Sequence, residues 1–100
     1  MSKVFVKSMS RAEADKLLGI EKWGQWSCGA ETFDWSYPQS ETCYILEGEV
    51  TIKYDNESVS FKQGDLVHFA EGLDCTWCVV KPVKKFYAFG FPIDKYIEMK

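Results

Sequence analysis

From about residue 30 onward, hydrophobic and polar positions alternate in short runs separated by turn residues. In Phe33-Asp34-Trp35-Ser36-Tyr37 the three rings fall on one face of an extended chain and Asp34 and Ser36 on the other. Pro38-Gln39-Ser40 breaks this run, and a strand is predicted from Thr42 to Leu46. Glu47-Gly48 marks a turn or bulge, after which Val50, Ile52 and Tyr54 alternate with Thr51 and Lys53. Asp55-Asn56-Glu57 reads as a hairpin turn, with Ser58 to Phe61 as the returning strand. Lys62 to Asp65 turns again into Leu66 to Phe69, and Ala70-Glu71-Gly72 ends that strand. Asp74 to Val80 and Lys84 to Phe91 read as two further strands, split by Pro82. Short strands with a turn every ~8–12 residues predict an antiparallel sandwich or barrel.

The N-terminal third differs. Val4-Phe5-Val6 reads as a short strand, and the next segment, SRAEADKLLG, reads as a helix over Arg11 to Leu18. Ser10 is a good N-cap, Glu13 stands three residues on, and Gly19 occupies the position where a left-handed residue closes a helix. The expected fold is therefore all-β with one short N-terminal helix, a single domain over residues 1–100.

Composition narrows the function classes. The 46% hydrophobic and 16% aromatic content is too high for a disordered chain. The net charge is −3, and no run of Lys or Arg exceeds two residues, so no nucleic-acid partner is expected. The first residues carry no apolar signal-peptide core, and no apolar run approaches the ~20 residues of a spanning helix. A soluble, cytoplasmic protein without a membrane partner is the expectation. The four cysteines are then expected to be free thiols. Cys75 and Cys78 form a CTWC, but on a strand a three-residue offset sends the thiols to opposite faces. His68, the single histidine, lies among apolar strand residues and reads as a hydrogen-bonded structural residue.

Two spacings carry a resemblance. Glu41 is followed by six residues and Gly48, in ETCYILEG; Gly64-Asp65 precedes Ala70, Gly72 and Cys75, in GDLVHFAEGLDC. Together they resemble the two signature motifs of the cupins, small jelly-roll barrels, over about Phe33 to Phe89. Trp23 and Trp26, the FDWSY segment, and the LDCTW of Leu73 to Trp77 are similar to one subgroup. Its members are short single-domain cupins related to the barrels of ureidoglycine aminohydrolase and of the ethanolamine-utilisation Q protein. The resemblance implies a cupin-type jelly roll, with the barrel over about residues 30–91. It also places the family's metal-binding histidines on Trp35, Tyr37 and Cys75 and its carboxylate on Glu41, with a terminal His replaced by Phe86. Three imidazoles and a carboxylate for iron or manganese cannot be assembled from these residues.

The expected site is thus an aromatic-lined barrel pocket with a degenerate metal site, built from Trp35, Tyr37, Glu41, Cys43, Cys75 and Trp77. No cofactor is expected; if a metal bound, Glu41 and Cys75 would be its ligands, and zinc the ion that thiols favour. Trp23 and Trp26 precede the barrel and would lid its mouth or close its end. With the family's histidines absent, Glu41 is expected to be a lone acid whose ionised form burial disfavours. The primary reading is a non-catalytic pocket whose partner is a small polar or ring-containing molecule. The alternative is an enzyme of hydrolase or isomerase type, metal-assisted or not. Glu41 would be its general acid or base, and Tyr37 and Cys75 its helpers. Aromatic surface near Phe89, Phe91, Ile93 and Tyr96 suggests a homodimer.

Overall fold

Two long bent strands organise the chain. The computed structural model describes residues 3–98. In chain order the strands are β1 (Val4–Ser8), β2 (Gly24–Cys28), β3 (Thr32–Ser36), β4 (Glu41–Tyr54), β5 (Glu57–Lys62), β6 (Asp65–Phe69) and β7 (Asp74–Phe89), with one α-helix, α1 (Arg11–Leu18), between β1 and β2. Two single 3-10 turns follow α1 and β7, at Ile20–Lys22 and Ile93–Lys95. All strand pairings are antiparallel.

β4 and β7 pair along their length, from Glu41 opposite Phe89 to Lys53 opposite Thr76. The first half of β4 and the last half of β7 sit in one layer, ordered β1-β6-β4-β7-β2. Their other halves sit in a second layer with β5 on β4 and β3 on β7. The shared strands turn from one layer into the other at a cluster of register shifts between Ile45 and Val50. This is the jelly-roll arrangement, built from an antiparallel all-β chain with one short helix.

The bend explains two features of the sequence. Pro82 does not split β7 into two strands as the pattern predicts; the strand continues through it, because the register shifts opposite leave that position outside the regular ladder. Gly48, at the same bend, has φ +101°, and a Cβ there would lie 2.3 Å from the Pro82 carbonyl oxygen. β2 is a strand that the alternation did not reveal, since its residues are mostly exposed and carry little apolar signal.

The fold has two cores. One fills the space between the layers, with Tyr37, Ile52, Phe61, Phe69 and Trp77 among its members. The other lies on the outer face of the β1-β6-β4-β7-β2 layer, where Tyr44, Leu66 and Phe86 pack against Ala14, Leu18 and Ile20. The helix that covers this face follows the sequence reading: Ser10 accepts from the Glu13 N–H at 3.1 Å, and Gly19 closes it in the left-handed conformation. A hairpin turn at Asp55-Asn56, both at positive φ, joins β4 to β5. Of the residues expected to form a surface patch, Phe89 and Tyr96 are exposed, but Ile93 is buried in the outer core. Among the described residues no helix is long and apolar enough to cross a membrane.

The bend yields a stability test. Gly48→Ala combines a strained backbone, about 1–3 kcal/mol, with a clash against fixed main chain. Gly64→Ala has the strain at φ +90° but open space around its Cβ. Urea unfolding should show a clearly larger loss for Gly48→Ala; equal losses would remove Gly48 from its role at the bend.

Candidate functional site

A cavity of about 190 Å³ opens where the edge strands β2 and β3 part without pairing. Trp26 of β2 stands on one side, and Phe33 and Trp35 of β3 on the other. Trp77 and Tyr37 lie deeper, both buried, with the Trp77 Nε1–H donating to Tyr37 Oη at 3.1 Å. Glu41 of β4 and Lys85 of β7 complete the lining at depth, with Tyr87 and Phe89 beside them.

The rings brace one another. Phe33 stacks on Trp77 at 5.9 Å and Tyr37 on Phe69 at 4.8 Å. Trp26 meets Trp77 edge-on at 6.1 Å. Such pairs add about 0.5–1.5 kcal/mol each beyond area burial, so the deep wall is pre-formed. Trp35 differs from the expectation of a fully inward pair. Tyr37 is 2% exposed, but Trp35 is 47% exposed and touches Tyr37 only edge-on at 6.4 Å. β3 ends at Ser36, and Tyr37 is drawn inward by backbone hydrogen bonds to Leu73 and Gly72, whereas Trp35 sits on an edge strand at the rim.

The floor corrects the picture of a lone acid. Lys85 Nζ donates to Glu41 Oε2 at 2.7 Å, and both side chains are almost fully buried. Cys43 lies between them: its thiol donates to the same Oε2 at 3.2 Å, and Lys85 Nζ donates to its sulfur at 3.4 Å. Lys85 stands opposite Ile45 on β4 and its side chain runs past Cys43 to reach Glu41. Its ammonium also lies 4.8 Å from the Trp77 ring centroid and 5.0 Å from that of Trp26. Burial alone would drive this lysine toward the neutral amine. The Cys43 and Glu41 groups beside it more than offset that and hold its pKa above the ordinary lysine value.

The phenol and the two buried thiols are held in their protonated forms. Burial raises the Tyr37 phenol and the Cys43 thiol well above their usual ranges. Burial also pushes the Cys75 thiol up to about 11, with Asp74 and Asp34 adding to it. Cys75 pairs with Trp35 in the β3–β7 ladder but does not line the cavity, and Cys43 reaches it only through Glu41 and Lys85. Cys75 therefore stands apart from the floor, as a protonated thiol rather than a nucleophile. All four cysteines are free, with Cys75 buried and Cys78 partly exposed.

Other sequence candidates lie elsewhere. Trp23 packs against Phe91 at 5.0 Å in the outer core, so of the two early tryptophans only Trp26 walls the mouth. His68 Nδ1 shares a 2.8 Å hydrogen bond with Thr42 Oγ1, and burial lowers its pKa, which matches the structural reading. Phe86, matched to the family's last histidine, points into the outer core. Its neighbour Lys85 is the residue that faces the cavity, and the sequence reading missed it.

These residues do not fit the metal centre that the fold family implies. Among the described residues no three His, Cys, Asp or Glu side chains converge. The carboxylate that would bind the ion already holds an ammonium at 2.7 Å. A divalent ion would have to displace Lys85 from Glu41 and Cys43 and then endure its charge nearby.

Comparison with known proteins accords with this architecture. Residues 16–87 match the EutQ-like cupin domain family. A DUF861 family protein from Thermotoga maritima is 38% identical, with TM-score 0.79 over 86% of this chain and 98% of its own. The EutQ protein of Clostridium difficile is 23% identical, with TM-score 0.63 over 86% of this chain and 66% of its own. A DUF861 family protein of unknown function from Pseudomonas syringae is 28% identical, with TM-score 0.61 over 66% of this chain and 29% of its own. No curated protein matches. The chain belongs to the EutQ-like cupin domain family.

The buried pair gives the next prediction. Lys85→Met strands a buried carboxylate, and Glu41→Gln a buried ammonium; each should cost about 3–5 kcal/mol, and the double variant less than the sum. The sign of the pH dependence follows from the raised lysine. Its contribution is complete below the unfolded pKa of about 10.4 and is lost as pH rises through the folded value. Buried tyrosines, also raised, weaken both proteins above about pH 10. The check is therefore the difference. Wild-type stability should fall more steeply than that of Lys85→Met above that pH, and parallel profiles would contradict the assignment.

Proposed function

We infer that this EutQ-like cupin binds a small ring-containing metabolite, held between aromatic walls above the Glu41–Lys85 floor. One observation carries the reading: rings line the cavity from rim to depth, and charge enters only at its base. Ligand sites have this composition, mostly apolar with a few placed polar groups. The size suits a single ring, since an apolar cavity of about 150 Å³ holds benzene. Trp26 and Trp35 are 38% and 47% exposed, so a guest sliding between them would remove apolar surface from water on both of its faces.

The same features favour binding over acid–base turnover. Oε2 of Glu41 already accepts two hydrogen bonds, and the Tyr37 and Cys75 protons are held tightly. Neither the phenol nor the thiol gives up its proton readily near neutral pH, so the helpers that acid–base turnover would need are absent. The reading extends to a cytoplasmic protein that retains or delivers a metabolite without altering it.

Mass spectrometry of small molecules released from the purified protein identifies the ligand class, and titration of the emptied protein gives its affinity. Trp35→Ala should weaken binding at least about tenfold, the loss expected of a stacking ring, while changing urea stability little. Unchanged affinity in both Trp26→Ala and Trp35→Ala, or conversion of the bound molecule to product, would reject this function.

A further inference from the structure

We propose that the cavity selects neutral rings that carry an N–H beside a carbonyl, the edge of a lactam, over rings bearing a charge. The proposal rests on the ring-binding function above and specifies the chemistry of its guest.

The first argument is hydrogen-bond capacity. Glu41 Oε2 is occupied by Lys85 and Cys43, but Oε1 accepts no hydrogen bond. No buried polar side-chain atom among the described residues lacks a partner, so Oε1 must reach open space, and Glu41 lines the cavity. An ammonium has three protons, and Lys85 directs two of them to Oε2 and Cys43. The third has only ring faces around it. The Tyr37 hydroxyl accepts from Trp77 but donates to no protein acceptor. The floor therefore offers one free carboxylate acceptor and two free donors. A guest completes it with one N–H and one carbonyl, without disturbing the Lys85–Glu41 contact.

The second argument is charge. Lys85 and Glu41 neutralise one another at 2.7 Å within a wall of rings. A ring carboxylate would satisfy the lysine but face the free Oε1 lone pairs. A ring ammonium would satisfy Oε1 but face the lysine. Either leaves a desolvated repulsion that a neutral donor–acceptor edge avoids. A purely apolar ring avoids it too, but leaves the floor's polar atoms without water or partner, which is the basis for rejecting analogues that lack a group.

The test uses the whole protein and four single-ring probes: 2-pyridone, N-methyl-2-pyridone, benzoate and benzylammonium. Tryptophan fluorescence reports occupancy, because Trp26, Trp35 and Trp77 line the cavity, and calorimetry gives affinities. The expected result is 2-pyridone at least about tenfold tighter than its N-methyl analogue, which keeps the carbonyl and loses the donor, with both charged rings weakest. Glu41→Gln removes the negative charge and should turn the preference toward benzoate. If that variant does not fold, the wild-type ranking still decides. Equal binding of the two pyridones, or a charged ring binding tightest, would overturn the lactam-edge proposal and leave ring binding intact. No binding by any of the four would overturn the ring-binding function itself.

Discussion

The contact between Lys85 and Glu41 is the constraint on which the site depends. Two opposite charges are buried at 2.7 Å beneath a ring wall, and neither would be tolerated there alone. Desolvation of such a pair consumes most of its Coulomb attraction, so the pair is not a source of surplus stability. Its consequence is specification. It fixes the face of the C-terminal half of β7, since only the face shared with Cys43 lets the ammonium reach Glu41. It also fixes the electrostatics of the cavity, whose base carries both charges and no net charge.

That pair is held by the topology rather than by local sequence. β4 and β7 exchange neighbours at the bend around Gly48 and Pro82, so one end of their ladder lies under β2 and the other beside β3. The cavity occupies the gap between those two edge strands. Rings contributed from β2, β3 and β7 therefore converge over an acid contributed from β4. The outer core, covered by α1, anchors the opposite face of the same ladder through Tyr44 and Phe86. Displacing that face would move Lys85 and Glu41 as well, because successive residues on a strand share one backbone.

Much of this was legible in the sequence, and the gaps have physical causes. The helix limits, its caps, the Asp55-Asn56 hairpin and an antiparallel all-β chain followed from pattern and turn chemistry, and the jelly roll from the resemblance to the cupins. Glu41, Trp35, Tyr37 and Trp77 do meet at one cavity. Lys85 was not legible because both faces of the last half of β7 are covered. Val83 and Tyr87 serve one core and Phe86 the other, so period-two alternation cannot say which lysine of the Lys84-Lys85 pair turns inward. β2 escaped notice for the reverse reason, since an exposed edge strand has no buried face to write an alternation. Pro82 was read as a strand break, yet at a bulge the hydrogen bond it lacks is not required. The depth difference between Trp35 and Tyr37 lies beyond strand parity, because parity assigns a face and not a distance from the rim.

The substitution of rings and an ammonium for the family's imidazoles is coherent as a set. A metal centre joins a carboxylate to a dication with open coordination positions, and neutral imidazoles can surround such an ion. An ammonium satisfies the same carboxylate with a single charge on a tether and offers no open coordination position. The indoles of Trp26 and Trp77 and the phenol ring of Tyr87 are then suitable neighbours, since their faces attract the cation. Trp26 and Trp77, whose faces lie 5.0 and 4.8 Å from the ammonium, are therefore tied to the tethered cation and not only to one another. With the ammonium tethered to the carboxylate, the cavity keeps aromatic walls over a base whose two charges cancel.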